Sequence, residues 1–216
     1  MSRRTCASYT VRMRRLFVGL IIVCIGAGSL YSIPRVKRTV AYMREDIELR
    51  MHPLAETAFQ YGNLHFSAPK HPELYDVDRA KRMYRKAITL DPNHSIAYVQ
   101  LARTLFVTGN NGEALLLLQT QLARNPDATP SVYYMLALVY ADMKRYDDAV
   151  SAYQEFIVRM PDSAPAYNDL AWVLIQAGKP SEALLATDQG LAIAPVRPWL
   201  LLTRTVALYE IAKYAE

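Results

Sequence analysis

Cysteine is almost missing from this chain: Cys6 and Cys24 are the only two. From residue 25 to residue 216 the protein can form no disulfide, no thiolate metal site and no thiol nucleophile. Histidine is nearly as scarce. His52, His65, His71 and His94 include no pair at helical ligand spacing, and no HExxH occurs. His65 and His71 flank an inserted loop, where their imidazoles are expected to be solvated. A Ser nucleophile elbow is absent, and the turn from Gly109 to Gly112 lacks the Lys and Ser/Thr of a phosphate loop. Asp147 and Asp148 stand at the start of a helical pattern, where acids suit the positive helix end. No residue set for catalysis, metal or cofactor remains. The chain is therefore expected to be no enzyme, to hold no cofactor and to take no small-molecule substrate.

Positive charge is lacking where a nucleic-acid binder would need it. Residues 1–44 hold nine Arg or Lys and no acid, whereas residues 45–216 hold the other 16 basic and all 20 acidic residues, a net of −4. That larger part has no field to concentrate a phosphate backbone, so a nucleic-acid partner is not expected.

The one long apolar run is LFVGLIIVCIGAGSLYSIP, residues 16–34, uncharged between Arg15 and Arg35. As a helix it would be about 28 Å long, enough for a single bilayer span at the short end. The expectation is a transmembrane helix over 16–34 behind a basic segment, 1–15, contacting the lipid bilayer. Five basic residues precede it and four follow, so the positive-inside rule favours a cytoplasmic N-terminus. A single-pass protein of the bacterial inner membrane, with its remaining domain on the outer, periplasmic side, fits this balance. A cleaved signal peptide and an organelle-targeting segment are alternatives for the same basic, apolar start. Residues 35–54 read as a polar helix or connector.

Beyond it the sequence repeats. Pro92, Pro126, Pro161 and Pro195 each close a helical pattern, at spacings of 34, 35 and 34. Proline just past a helix stops it and sets a corner. Between these corners two helices recur. First helices carry the trios Tyr98, Leu101, Ala102; Tyr133, Leu136, Ala137; and Tyr167, Leu170, Ala171, each at i, i+3, i+4 and so on one face. Second helices each carry a small residue for close crossing: Ala80, Ala114, Ala149 and Ala183. Turns fall at 109–112, 142–145 and 178–181.

This pattern closely resembles the tetratricopeptide repeat over about residues 55–197. The units expected are 55–94, 95–129, 130–163 and 164–197, followed by a terminal capping helix, or the start of a fifth unit, over 198–216. Within the resemblance, Gly62 and Ala87 also take small positions, whereas Gln121 and Phe156 stand where a small residue is usual. The first unit is lengthened by the insertion SAPKHPELYDV.

The resemblance implies an all-α fold, a right-handed solenoid of stacked antiparallel helix hairpins, here preceded by the transmembrane helix. It also implies a concave groove lined by first helices. The family's groove positions fall on Val99, Arg103, Phe106, Tyr134, Leu138, Asn168, Trp172, Gln176 and Tyr209. These are largely aromatic and aliphatic, so a protein or peptide partner offering an apolar helix or an extended segment is expected. One subtype grips a peptide's C-terminal carboxylate with a Lys/Asn/Arg set, and only scattered members of that set occur here. The implied function is a membrane-tethered scaffold or adaptor that recruits or assembles partner proteins. Alternatives are a subunit of a bacterial envelope assembly machine, such as cytochrome c maturation, pilus or secretion complexes, and a permanently assembled structural subunit.

Overall fold

A computed structural model describes residues 34–67, 72–127 and 129–215. Their regular structure is helical. The helices are α1 (Pro34–Met51), α2 (Ala55–Phe66), α3 (Val77–Leu90), α4 (Ser95–Val107), α5 (Asn111–Arg124), α6 (Ser131–Asp142), α7 (Tyr146–Arg159), α8 (Ala164–Gln176), α9 (Pro180–Ile193) and α10 (Pro198–Ala215). A single 3-10 turn, Pro72–Leu74, precedes α3. Consecutive helices from α2 onward pack on one another, and α4 also meets α6, as α8 meets α10. The result is a stack of helix hairpins.

Two local devices recur along the stack. The residue after each second helix, Asp91, Asn125, Met160 or Ala194, sits at φ −136° to −137° with positive ψ. A proline follows each of them and forces this extended conformation. Each of the four also donates its backbone N–H to the carbonyl four residues back, closing the helix end. Between the helices of a hairpin, Gly109, Lys144 and Gly178 adopt left-handed φ of 76°, 58° and 74°. The next amides, Asn110, Arg145 and Lys179, reach back to the carbonyls of Leu105, Tyr140 and Leu174. These are Schellman closures, which need the left-handed residue to turn the chain.

The core follows the small residues. Ala80, Ala114, Ala149 and Ala183 have no exposed surface, nor do Ala102, Ala137 and Ala171. Their lack of bulk lets helix backbones approach. Tyr84, Leu118, Tyr153 and Thr187, four residues on from the second-helix alanines, are likewise buried. Gln121 of α5 is fully buried and donates its amide to the Ser95 hydroxyl at 2.8 Å, and Phe156 is buried at the corresponding place in α7. On α10, Leu200 is fully buried, whereas Leu201 and Leu202 face outward. A Cβ on Gly190 would lie 2.9 Å from Leu200, so this glycine permits the α9–α10 contact.

The membrane-spanning helix expected over 16–34 requires correction. Among the described residues no helix is long and apolar enough to cross a membrane. Residues 16–33 lie outside the described residues, as do those on which the signal-peptide and organelle-targeting alternatives rest. The helix that starts at Pro34 is polar on average and bears Arg35, Lys37, Arg38 and Arg44. A transmembrane helix ahead of the solenoid, the bilayer contact and the single-pass inner-membrane localisation are therefore not carried further.

Helix α1, within the stretch read as a polar helix or connector, docks on the start of the stack. It lies along α2 and is held by polar contacts. Glu45, buried at 3% exposure, sits 2.9 Å from His65 Nε2 and 3.0 Å from the Arg79 guanidinium. Arg79 also pairs with Asp46 at 2.7 Å, donates to the Tyr42 carbonyl at 3.1 Å and stacks 4.5 Å above the Tyr42 ring. The Tyr42 and Tyr61 hydroxyls donate to Asp76 and Glu48, each at 2.6 Å. Buried charges are tolerable only when paired in this way. His65 is accordingly no solvated loop residue. It is completely buried near the end of α2, with Nδ1 2.8 Å from the Leu74 carbonyl oxygen.

Candidate functional site

Val99, Arg103 and Val107 follow one another at i, i+4 and i+8, so α4 presents them on one face. Phe106 stands beside that row. Across from it α6 presents Ser131, Tyr134, Met135 and Leu138. Phe156 of α7 and Ser163 and Pro165 at the start of α8 close the far side. Together with Gln100 these residues line a cavity of about 660 Å³.

The walls are unequal in rigidity. The Tyr134 ring meets Tyr153 and Phe156 edge-on, at centroid distances of 5.6 and 5.1 Å. Its hydroxyl donates to the Asp169 carboxylate. Burial, reinforced by the hydrogen bond and negative charge of Asp169, pushes the Tyr134 phenol well above its ordinary value. Tyr134 is thus a fixed wall of the cavity. The α4 side is more open. Val107 is 56% exposed, Phe106 and Val99 are half-buried, and Arg103 is exposed, with its guanidinium 5.9 Å from the Phe66 ring centroid. Arg103 is the one charged side chain among the lining residues.

Of the positions implied by the resemblance, Val99, Arg103, Phe106, Tyr134 and Leu138 are brought together here. The others lie outside the cavity lining. Asn168 accepts from the Thr203 hydroxyl at 2.8 Å and donates to Asp169 at 3.1 Å, so it ties α8 to α10. Trp172, Gln176 and Tyr209 are exposed further along the stack. Phe156 lines the cavity without being one of the positions implied by the resemblance, yet the sequence carries a signal for it: a large ring at a position where the repeat usually has a small one. Met135 and Ser131 extend the α6 face that was read, whereas nothing in the sequence singled out Ser163 and Pro165.

Among the described residues, no group of three or more His, Cys, Asp or Glu is disposed to hold a metal ion. The Glu45–His65–Arg79 cluster is occupied by its own hydrogen bonds and secures α1.

A curated relative, the "DnaJ homolog subfamily C member 7 homolog" of Schizosaccharomyces pombe, is 27% identical over an alignment of 133 positions that covers 55% of this chain. The chain spans only 28% of that relative's length. Among solved structures, the MamA protein superposes with a TM-score of 0.62 at 22% identity, over 73% of this chain and 82% of its own. YrrB does so with a TM-score of 0.60 at 19% identity, over 76% and 81%. TTC0263 of Thermus thermophilus gives 0.57 at 22% identity, over 74% and 89%. At these identities the likenesses show the fold. Models of the tetratricopeptide repeat match residues 73–139 and 134–198. Between them they take in residues 73–198, more than half of the 216-residue chain, and the chain belongs to the tetratricopeptide-repeat family.

Proposed function

We propose that this scaffold binds a partner protein by taking an apolar helix or an extended segment into the groove between α4 and α6. The family is one of non-catalytic protein–protein interaction scaffolds, which sets the class of function. The observation that carries the finer reading is the cavity itself. Val107 is more than half exposed at its lip, Phe106 and Leu138 are half-buried within it, and the Tyr134 ring is fixed as its wall. Apolar side chains left facing a preformed concavity gain free energy when a partner covers them, at about 25 cal/mol per Å². YrrB, described as a tetratricopeptide-repeat protein with an unusual peptide-binding site, shares the fold and gives the reading a parallel. Trp172, Gln176 and Tyr209 extend the same proposed surface toward α10.

The test compares partner capture by the full chain with capture by two charge insertions, each at an exposed position. Val107→Asp places a charge at the groove lip, and Leu116→Asp places one on α5, away from the cavity. Loss of the captured protein with Val107→Asp alone supports the groove. Equal capture by all three chains, or loss with Leu116→Asp alone, refutes it.

A further inference from the structure

Resting on that reading of the groove, we infer that its ligand carries an acidic side chain next to a large apolar one, and that the carboxylate pairs with Arg103. The lining supplies the argument. Arg103 is its sole charge, and none of the salt bridges among the described residues involves it. Its guanidinium lies near the Phe66 ring, with Phe106 and Val99 on the same helix, so apolar walls flank it. A charge beside such walls acts through a lower effective dielectric than one in open water. A guanidinium also presents its donors as a planar fork that matches a carboxylate.

The nearby negative charge is already engaged. Asp169 accepts from the Tyr134 hydroxyl and from the Asn168 amide, leaving it poorly placed to recruit a basic ligand. The groove therefore offers one unmatched positive charge within a short reach of the apolar pocket of Phe106, Tyr134 and Leu138. A fully apolar segment would leave Arg103 facing desolvated surface without a partner, which costs free energy. A basic segment would be repelled. A segment with Asp or Glu adjacent to Leu, Ile, Met or Phe satisfies both features.

The probe is a display library of random linear peptides, panned on the full chain and on three variants: Arg103→Gln, Arg103→Glu and Leu138→Lys. Circular dichroism verifies that each variant stays folded; Arg103 is exposed, so its substitutions spare the core. The expected result is enrichment of peptides pairing an acid with a large apolar residue. Their affinity should fall about tenfold or more with Arg103→Gln and weaken with added salt. Arg103→Glu should turn the selection toward Lys and Arg. Peptides that are lost with Leu138→Lys yet show no acidic enrichment and ignore both Arg103 variants would overturn this inference and leave the groove standing. Peptides indifferent to Leu138→Lys, or no enrichment on any chain, would overturn the groove reading together with it.

Discussion

Two glycine-to-alanine substitutions in this chain should have opposite signs. At Gly62 on α2, a Cβ would lie 2.4 Å from Tyr84 Cε1 and 2.5 Å from its Cδ1. Carbon atoms in good contact stand about 3.5–4.0 Å apart, so the overlap exceeds about 1 Å. The Tyr84 ring has little room to yield. It is completely buried, lies 6.0 Å from the Phe59 ring, and its hydroxyl donates to Asn63 at 2.9 Å. Overpacking of this kind costs about 1–3 kcal/mol, and a displaced phenol forfeits about 1 kcal/mol of hydrogen bonding. The alanine returns about 1 kcal/mol of helix propensity. Gly62→Ala should therefore destabilise by about 1–3 kcal/mol. Gly112, in the first turn of α5, has nothing within 4 Å of its Cβ position. Gly112→Ala should gain up to about 1 kcal/mol. Urea unfolding followed by far-ultraviolet circular dichroism measures both against the parent. Truncating the clashing ring, as Tyr84→Leu, should make the double variant with Gly62→Ala less destabilised than the two single effects added. Gly62→Ala as stable as Gly112→Ala would refute the packing argument.

Other perturbations follow from the same structure. Glu45→Ala leaves His65 and Arg79 without their shared carboxylate and should release α1, costing about 3–5 kcal/mol locally; hydrogen exchange should rise over residues 34–51, and unchanged protection there would contradict the polar docking. Lys144 is the non-glycine residue at the left-handed turn position, so Lys144→Gly should stabilise by up to about 1 kcal/mol, whereas Gly178→Ala should destabilise by about as much, read as thermal midpoints. Burial, then the hydrogen bond to Glu48, push the Tyr61 phenol up to about 12 from 10.0. A raised folded-state value means that this contribution is full below pH 10.0 and lost as pH rises through about 12. Alkaline titration should accordingly loosen α1 over that window, and Tyr61→Phe should abolish this part of the pH dependence while leaving the rest of the profile.

Most of the stack was legible because its signals are local and repeated. Proline at each corner forces the preceding residue to extend, and an alanine at each crossing is the cheapest way to bring two helices together. Both therefore leave a mark at a fixed period. The groove was half legible for a related reason. Residues on α4 and α6 follow helical spacing, so Val99, Arg103, Phe106, Tyr134 and Leu138 could be placed on one face. Asn168 lies outside the cavity lining, and only tertiary contact reveals that its side chain bonds Thr203 and Asp169. The docking of α1 was illegible. Glu45, His65 and Arg79 are far apart in sequence and polar, so a pattern reading assigns them to solvent, and only the fold turns them into one buried cluster. The 16–34 span was read from hydropathy, length and flanking charge, and residues 16–33 lie outside the described residues.

The most direct test of the central claim is a photocrosslinking footprint. A benzophenone amino acid is introduced at Val107, at the groove lip, or at Leu116, on α5 and away from the cavity, both in the full chain and both exposed. Each chain is irradiated with a peptide selected on the unmodified protein. The account predicts a crosslinked adduct from position 107 and none from position 116. An adduct from 116 alone, or equally from both, would contradict it.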